Sequence, residues 1–261
     1  MAKDERTDGD QKTTLLVLKG VTKVYGEGDA AVHALRGIDI VIHQGEFVAI
    51  MGPSGSGKST AMNMVGCLDV PTDGTILLEG QDIAELDESN LAQIRGQKIG
   101  FIFQQFNLIP GLSALENVML PMVFQGYSSD ERFERATELL EKMELGNRLD
   151  HLPSELSGGQ QQRVAIARAL CNDPDIILAD EPTGNVDSKM GRDIMKMLAK
   201  LHKEGKTIIM VTHDDHLATY AKRIVYLLDG AIVDRLKYKE NHALEAEKEK
   251  KKDKKKKGEK S

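Results

Sequence analysis

The sequence predicts an α/β fold built on a mostly parallel sheet, and three observations carry that prediction. Helical and strand-like segments alternate through the second half of the chain, the order that parallel pairing through crossover helices requires. A glycine-rich turn, Gly52-Pro53-Ser54-Gly55-Ser56-Gly57-Lys58-Ser59, stands between an apolar strand and a helix. The first eighty residues are short β-rich runs separated by turn residues.

Each element follows from its own pattern. Residues 1–14 read as a polar, frayed tail without the apolar core of a signal peptide. From Leu15, LLVLKGVTKVY and AVHALRGIDIVIHQGEFVAIM read as strands, with turns at Gly26, Gly28 and Asp29 and at Gly45. Gly74 and Gly80 bracket the strand TILLE, and KIGFIFQ (98–104) reads as a buried strand. SALENVMLPMVF and SDERFERATELLEKMEL read as helices. Pro121 is expected to end or kink the first. Ser129 or Asp130 is expected to cap the second, whose Phe133, Ala136, Leu139, Leu140 and Met143 share one face.

The alternation then begins. Helix GGQQQRVAIARAL leads to strand DIILAD, and helix SKMGRDIMKMLAKLHKEG to strand KTIIMVTH. A short helix, HLATYAKR, precedes strands IVYLL and AIV, joined at Asp229-Gly230 as a hairpin. Residues 240–261 are a low-complexity, lysine-rich tail, expected to be disordered.

Composition narrows the function classes. The net charge is −6, but nine lysines and three acids at 248–261 give +6, so the preceding 247 residues carry −12. An acidic body disfavours nucleic acid as a partner. Aromatic residues make up 4% and Trp is absent, which leaves no aromatic-rich stacking platform. Cys67 and Cys171 form no CxxC pair, so they read as two reduced, buried thiols rather than a zinc site or a disulfide framework. No stretch reaches the roughly 18 continuous apolar residues of a spanning helix. A soluble intracellular chain is expected, and any membrane role then needs a partner.

Three motifs carry chemistry. The first is the turn at 52–59, which fits G-x-x-x-x-G-K-[ST]. Glycines let successive backbone N–H groups face phosphate oxygens, and the helix N-terminus adds a favourable dipole. Gly52, Pro53, Ser54, Gly55, Ser56, Gly57 and Thr60 are therefore nucleotide-binding candidates. Lys58 supplies a charge to the β- and γ-phosphates, and the Ser59 hydroxyl suits Mg²⁺. The second is Ile176-Ile177-Leu178-Ala179-Asp180-Glu181, an apolar strand that delivers two carboxylates at its end. Asp180 suits the Mg²⁺ shell. Glu181 suits a general base for the attacking water, a role typically worth about 10²–10⁴ in rate. The third is Leu156-Ser157-Gly158-Gly159-Gln160, a turn that opens a helix and forms a second anion site. One nucleotide does not need two such sites from one chain, so Ser157, Gly158, Gly159 and Gln160 are read as contacting ATP held by another copy.

These three motifs, with LSGGQ standing between the other two along the chain, resemble the ATP-binding subunits of ABC transporters, over about residues 15–236. The resemblance implies a P-loop NTPase fold with a RecA-like core, an edge of antiparallel strands and an inserted helical subdomain. It implies a core lobe at 15–104 and 159–239 and a helical lobe at 105–158, with the LSGGQ turn at the helical lobe's end. It carries four further roles onto matching residues. Gln104 matches the glutamine that senses Mg²⁺ or the lytic water, and His213 the histidine that contacts the γ-phosphate. Tyr25 matches the aromatic that stacks on adenine, and Asp187, in Asn185-Val186-Asp187, the D-loop aspartate. GCLDVPTDG, FQQFNLIPGLSALENVMLP and LADEPTGNVDS look like the LolD/MacB/FtsE group. The resemblance thus implies an ATPase using ATP and Mg²⁺, a homodimer when ATP is bound, and a separate membrane permease. The chain would then lie peripherally on the cytoplasmic face of the membrane. Its lysine-rich tail is a candidate for weak contact with anionic lipid. Two alternatives accompany this reading: a regulatory ATPase that drives a cell-wall hydrolase through a membrane partner, and a soluble relative acting on DNA or ribosomes.

Overall fold

The computed structural model describes residues 13–241. The expected N-terminal tail up to residue 12, and the lysine-rich tail from 242, lie outside the described residues.

Two sheets organise these residues. β1 (Thr14–Tyr25), β2 (Val32–His43), β4 (Asp73–Leu78) and β5 (Gln81–Asp82) form an antiparallel sheet of order β2-β1-β4-β5. The second sheet takes β3 (Phe47–Met51), β6 (Ile99–Ile102), β7 (Ile176–Asp180), β8 (Thr207–Thr212), β9 (Arg223–Leu228) and β10 (Ala231–Val233). Its order is β10-β9-β3-β8-β7-β6, parallel except for the β9–β10 hairpin. Asp229 (φ 47°) and Gly230 (φ 79°) both sit in the left-handed region, as a primed hairpin turn requires.

The central strands are apolar throughout because both of their faces are covered. Side chains alternate strictly between two cores. Phe47, Ala49, Met51, Ile177, Ala179, Ile208 and Met210 join one, with α3 (Ala114–Phe124), α4 (Ser129–Lys142), α5 (Gly158–Leu170) and α6 (Ser188–Lys203). Val48, Ile50, Ile176, Leu178, Ile209 and Val211 join the other, with α1 (Lys58–Val65) and the antiparallel sheet. The helices α3 to α5 occupy the chain between β6 and β7 and pack on one another.

Several local expectations change. Pro121 does not end α3, which continues to Phe124; buried Val118 and Met122 hold that last turn in place. Ser128, rather than Ser129 or Asp130, caps α4, its hydroxyl accepting from Glu131 N while the Glu131 carboxylate accepts from Ser128 N. On α4, Ala136, Leu139, Leu140 and Met143 are buried, but Phe133 is 54% exposed. The short helix α7 spans only Asp215–Ala218. The helix α2 (Glu88–Lys98) sets only half-buried Leu91 and Ile94 against the core, too short an apolar face to read from the sequence. Helical residues 235–241 run across the expected start of the tail at 240. β1 begins at Thr14, inside the expected N-terminal tail. Cys67 and Cys171 are buried and unpaired, and burial pushes their thiols up to about 11 and about 12.

Candidate functional site

In an open parallel sheet, ligands bind beyond the carboxyl ends of the strands. Those ends here deliver most of the predicted residues. A cleft of 1180 Å³ opens beyond β3, β6, β7 and β8 and is lined by Gly52–Gly55, Gly57–Thr60, Gln104, Asp180, Glu181, His213 and Tyr25. Gln105, beside Gln104, is absent from that lining.

The turn from β3 into α1 works only with glycine at two points. A Cβ on Gly52 would lie 2.3 Å from Ser56 Oγ and 2.4 Å from the Leu227 carbonyl oxygen. Gly57, the residue before α1, has φ 99°, and a Cβ there would lie 2.5 Å from the Ala34 carbonyl oxygen. Lys58 Nζ donates to the Pro53 carbonyl at 2.8 Å, so the amine curls over the loop it serves. Burial lowers the Lys58 pKa, while Glu181 and Asp180 oppose that shift. The carboxylates therefore help keep the amine charged where a phosphate would sit.

Opposite the loop, β7 ends in the two acids. Burial, with Glu181 adding to it, raises the Asp180 pKa; Lys58 opposes. Glu181 stands at φ 41°, a left-handed conformation that non-glycine residues adopt sparingly. Its backbone N–H donates to the Val211 carbonyl at 2.9 Å, which pins the turn to β8. Glu181 Oε1 lies 2.7 Å from His213 Nδ1. A carboxylate only accepts, so the ring donates from Nδ1. Gln162, wholly buried on α5, donates to the Pro182 carbonyl at 2.8 Å and braces the same turn.

Tyr25 stands 41% exposed at the cleft wall. Its hydroxyl donates to Asp69 Oδ2 at 3.1 Å, and Lys23 Nζ lies 5.1 Å from its ring centroid while pairing with Asp69 at 2.7 Å. The ring is thus held in place from two sides.

Ser56, Ser157, Gly158, Gly159, Gln160 and Asp187 do not line the cleft. Ser56 is buried behind the loop and its carbonyl accepts from Gly230 N at 2.9 Å. Ser157 and Gln160 form a reciprocal cap on α5: Ser157 Oγ accepts from Gln160 N at 3.3 Å, and Gln160 Oε1 from Ser157 N at 2.9 Å. The Ser157 hydroxyl proton stays free to donate outward from this exposed N-terminus. Asp187 caps α6, accepting from Lys189 N and Met190 N.

Sequence reasoning missed His33, Arg36, Asp229, Gly230 and Tyr238, all of which line the cleft. Tyr238 is 5% exposed and packs its ring 4.6 Å from that of Tyr226. No local motif marks His33, Arg36 or Tyr238, and Asp229-Gly230 reads in the sequence only as a hairpin turn; the antiparallel sheet, the final hairpin and the helical residues after it carry them there.

The donors fit Mg²⁺. Ser59, Gln104 and Asp180 offer a few hard oxygens on one cleft, and Mg²⁺ commonly binds through one or two protein oxygens plus water and phosphate. Among the described residues no group of three or more His, Cys, Asp or Glu is placed to hold a metal alone.

The comparisons with known proteins agree with this geometry. The sequence pattern of the ABC transporter family matches residues 35–184. The chain is 54% identical over 223 residues to an uncharacterized ABC transporter ATP-binding protein, MJ0796, of Methanocaldococcus jannaschii, covering 84% of this chain and 95% of that one. It is 52% identical over 232 residues to the macrolide export ATP-binding/permease protein MacB of Hyphomonas neptunium, covering 89% of this chain but only 36% of MacB. It therefore spans about a third of the length of that relative. Among solved structures, a dimeric post-hydrolysis state of MJ0796 bound to ADP and Pi superposes with a TM-score of 0.78 at 52% identity, over 84% of this chain and 97% of that one. With the motifs, the sheet order and these matches in agreement, the chain belongs to the ABC transporter family as an ATPase cassette of the LolD/MacB type.

Proposed function

We propose that this chain binds and hydrolyses ATP as one half of a head-to-tail pair, and that the pair powers a separate membrane permease from the cytoplasmic face. The observation that carries this reading is the presence of two helix N-termini suited to phosphate, of which only one, at α1, opens on the chain's own cleft. The second, at Ser157, is exposed and capped, ready to complete the cleft of a copy. The dimeric form of the MJ0796 cassette supports a pair of this kind.

In each site the amides of residues 52–59 and Lys58 receive the phosphates, and Tyr25 takes the adenine face. Ser59, Gln104 and Asp180 are the residues to hold Mg²⁺, which supplies charge neutralisation at the phosphates. Glu181 removes a proton from water as the water oxygen attacks the γ-phosphorus. The bond from the γ-phosphorus to the bridging oxygen breaks, and ADP leaves with the electron pair. His213, fixed by Glu181, faces the γ-phosphate, and the partner copy's Ser157 hydroxyl and Gly159 N–H donate to the same group. Preorganised donors of this kind stabilise the transferring phosphoryl group without much covalent chemistry. The core lobe (15–104, 159–239) carries the loops and the helical lobe (105–158) carries the signature turn. Closure and reopening of the pair then supply the stroke.

The test is Glu181→Gln. It keeps ATP binding, loses at least about 10² in turnover, and elutes as a dimer in ATP and a monomer without it. Normal turnover together with monomer elution in ATP overturns the reading.

A further inference from the structure

The loop after β6 is held in an uncommon shape by two side chains: Arg168, which no motif assigns, and Asn185, which lies in the D-loop match but has no role given to it there. Phe106 and Asn107 both stand in the left-handed region, with φ of 47° and 51°. Phe106 is bulky, so the chain does not favour this path there on its own, whereas asparagine tolerates it. Arg168, on α5, spans the two residues: Nη2 donates to the Phe106 carbonyl at 2.7 Å and Nη1 to the Asn107 carbonyl at 2.5 Å. From the other side, Asn185 Nδ2 donates to the Gln104 carbonyl at 2.7 Å. The signature turn adjoins this junction: a Cβ built on Gly158 would lie at ordinary contact distance, 3.6 Å from the Asn185 carbonyl oxygen and 3.7 Å from Phe106 Cζ.

We propose that Arg168 and Asn185 are positioning residues for Gln104, clamping the 104–107 backbone so that its side chain enters the cleft at a fixed angle. The clamp also ties Gln104 to the helix that carries Ser157, so the loop and the signature turn move as one body. Arg168 suits this task because its planar fork reaches two carbonyls at once, which a lysine ammonium on a flexible stem does not reproduce. The inference rests on the reading of Gln104 given above.

A mutant cycle in the full chain tests it. The variants are Asn185→Ala, Arg168→Lys, Gln104→Ala and each of the first two combined with Gln104→Ala. Asn185 is exposed, so its truncation leaves the fold intact even if the Arg168 variant destabilises it; thermal midpoints check both. The expected result is a kcat lower by roughly 2- to 10-fold for Asn185→Ala, with KM for ATP within about twofold, as the loss of one hydrogen bond implies. Added to Gln104→Ala, neither variant lowers kcat further. Effects that multiply in the double variants overturn the positioning role while leaving Gln104 in the site. Unchanged kcat in Asn185→Ala and Arg168→Lys overturns it as well. If Gln104→Ala alone has normal kcat, the assignment of Gln104 falls, and the positioning role with it.

Discussion

Ser157 has two jobs in the proposed pair, and substitution can separate them: its hydroxyl caps its own helix, and in that proposal it donates to a phosphate on another copy. Its backbone has the extended conformation of a cap (φ −64°, ψ 158°), which suits Asp as well as Ser. Ser157→Ala loses the acceptor for Gln160 N, a cost of about 1 kcal/mol, which lowers Tm by roughly 2–4 °C in a chain of this size. Ser157→Asp keeps the acceptor and adds a favourable charge at the helix N-terminus, so its Tm equals or exceeds that of the wild type. The pair behaves oppositely in assembly. Alanine forfeits one hydrogen bond to a charged group, about 1.5–3 kcal/mol at each site. Aspartate instead sets a carboxylate against a phosphate; at ~4 Å and an effective dielectric of ~20 that repulsion is on the order of 4 kcal/mol at each site. Dimerisation of the Glu181→Gln protein in ATP, followed by sedimentation velocity, therefore weakens by roughly 10²–10⁴ for Ser157→Ala, with two sites in each pair. For Ser157→Asp it weakens by more than roughly 10⁵, although this is the more stable fold of the two. A Ser157→Asp protein that dimerises in ATP as readily as its parent refutes the shared-site argument.

Two further outcomes follow from the cleft. Asp180 is held above its ordinary carboxyl range by burial and by Glu181, so its folded form prefers the proton. That preference contributes stability below the ordinary carboxyl pKa and is lost as pH rises through the raised one. Nucleotide-free Asp180→Asn should therefore melt higher than the wild type at about pH 7.5, with the gap closing below about pH 4; a lower Tm at pH 7.5 contradicts the sign. Gly57→Ala meets both a left-handed φ of 99° and a carbonyl oxygen at 2.5 Å, at a cost of at least about 1–2 kcal/mol. It should lose binding of a fluorescent ATP analogue. Gly80→Ala, at φ 84° with nothing within 4 Å, should lose some stability but bind normally; equal behaviour of the two variants counts against the close-approach argument.

Much of this protein is written in local sequence. The phosphate loop, the Asp180-Glu181 pair and the strand–helix alternation are contiguous patterns, and each is legible because its chemistry needs neighbouring residues at fixed spacing. The hairpin at Asp229-Gly230 is legible for the same reason, since two left-handed residues in a row call for that dipeptide. Other features were not legible. The cap on α4 moved to Ser128 because three adjacent polar residues all qualify by type and only the reciprocal bond with Glu131 selects one. Phe133 shares the apolar face by its spacing, yet among the described residues it stands 54% exposed. Tyr238 reaches the cleft on the helical residues 235–241 that follow β10, and Arg36 on β2 of the antiparallel sheet. Arg168 and Asn185 reach the Gln104 loop across 61 to 81 positions of chain.

The sequence by itself determined which chemistry is proposed for the protein: a loop for phosphates, a base, and a second anion site that its own cleft has no use for. Only the tertiary structure decided how these parts are held. Strand ends collect Lys58, Gln104, Asp180, Glu181 and His213 around one cleft and leave Ser157 facing outward. The physical reason is that a motif specifies backbone geometry over a few residues. The direction in which a helix N-terminus points is instead set by the two cores that fix each helix against the sheet.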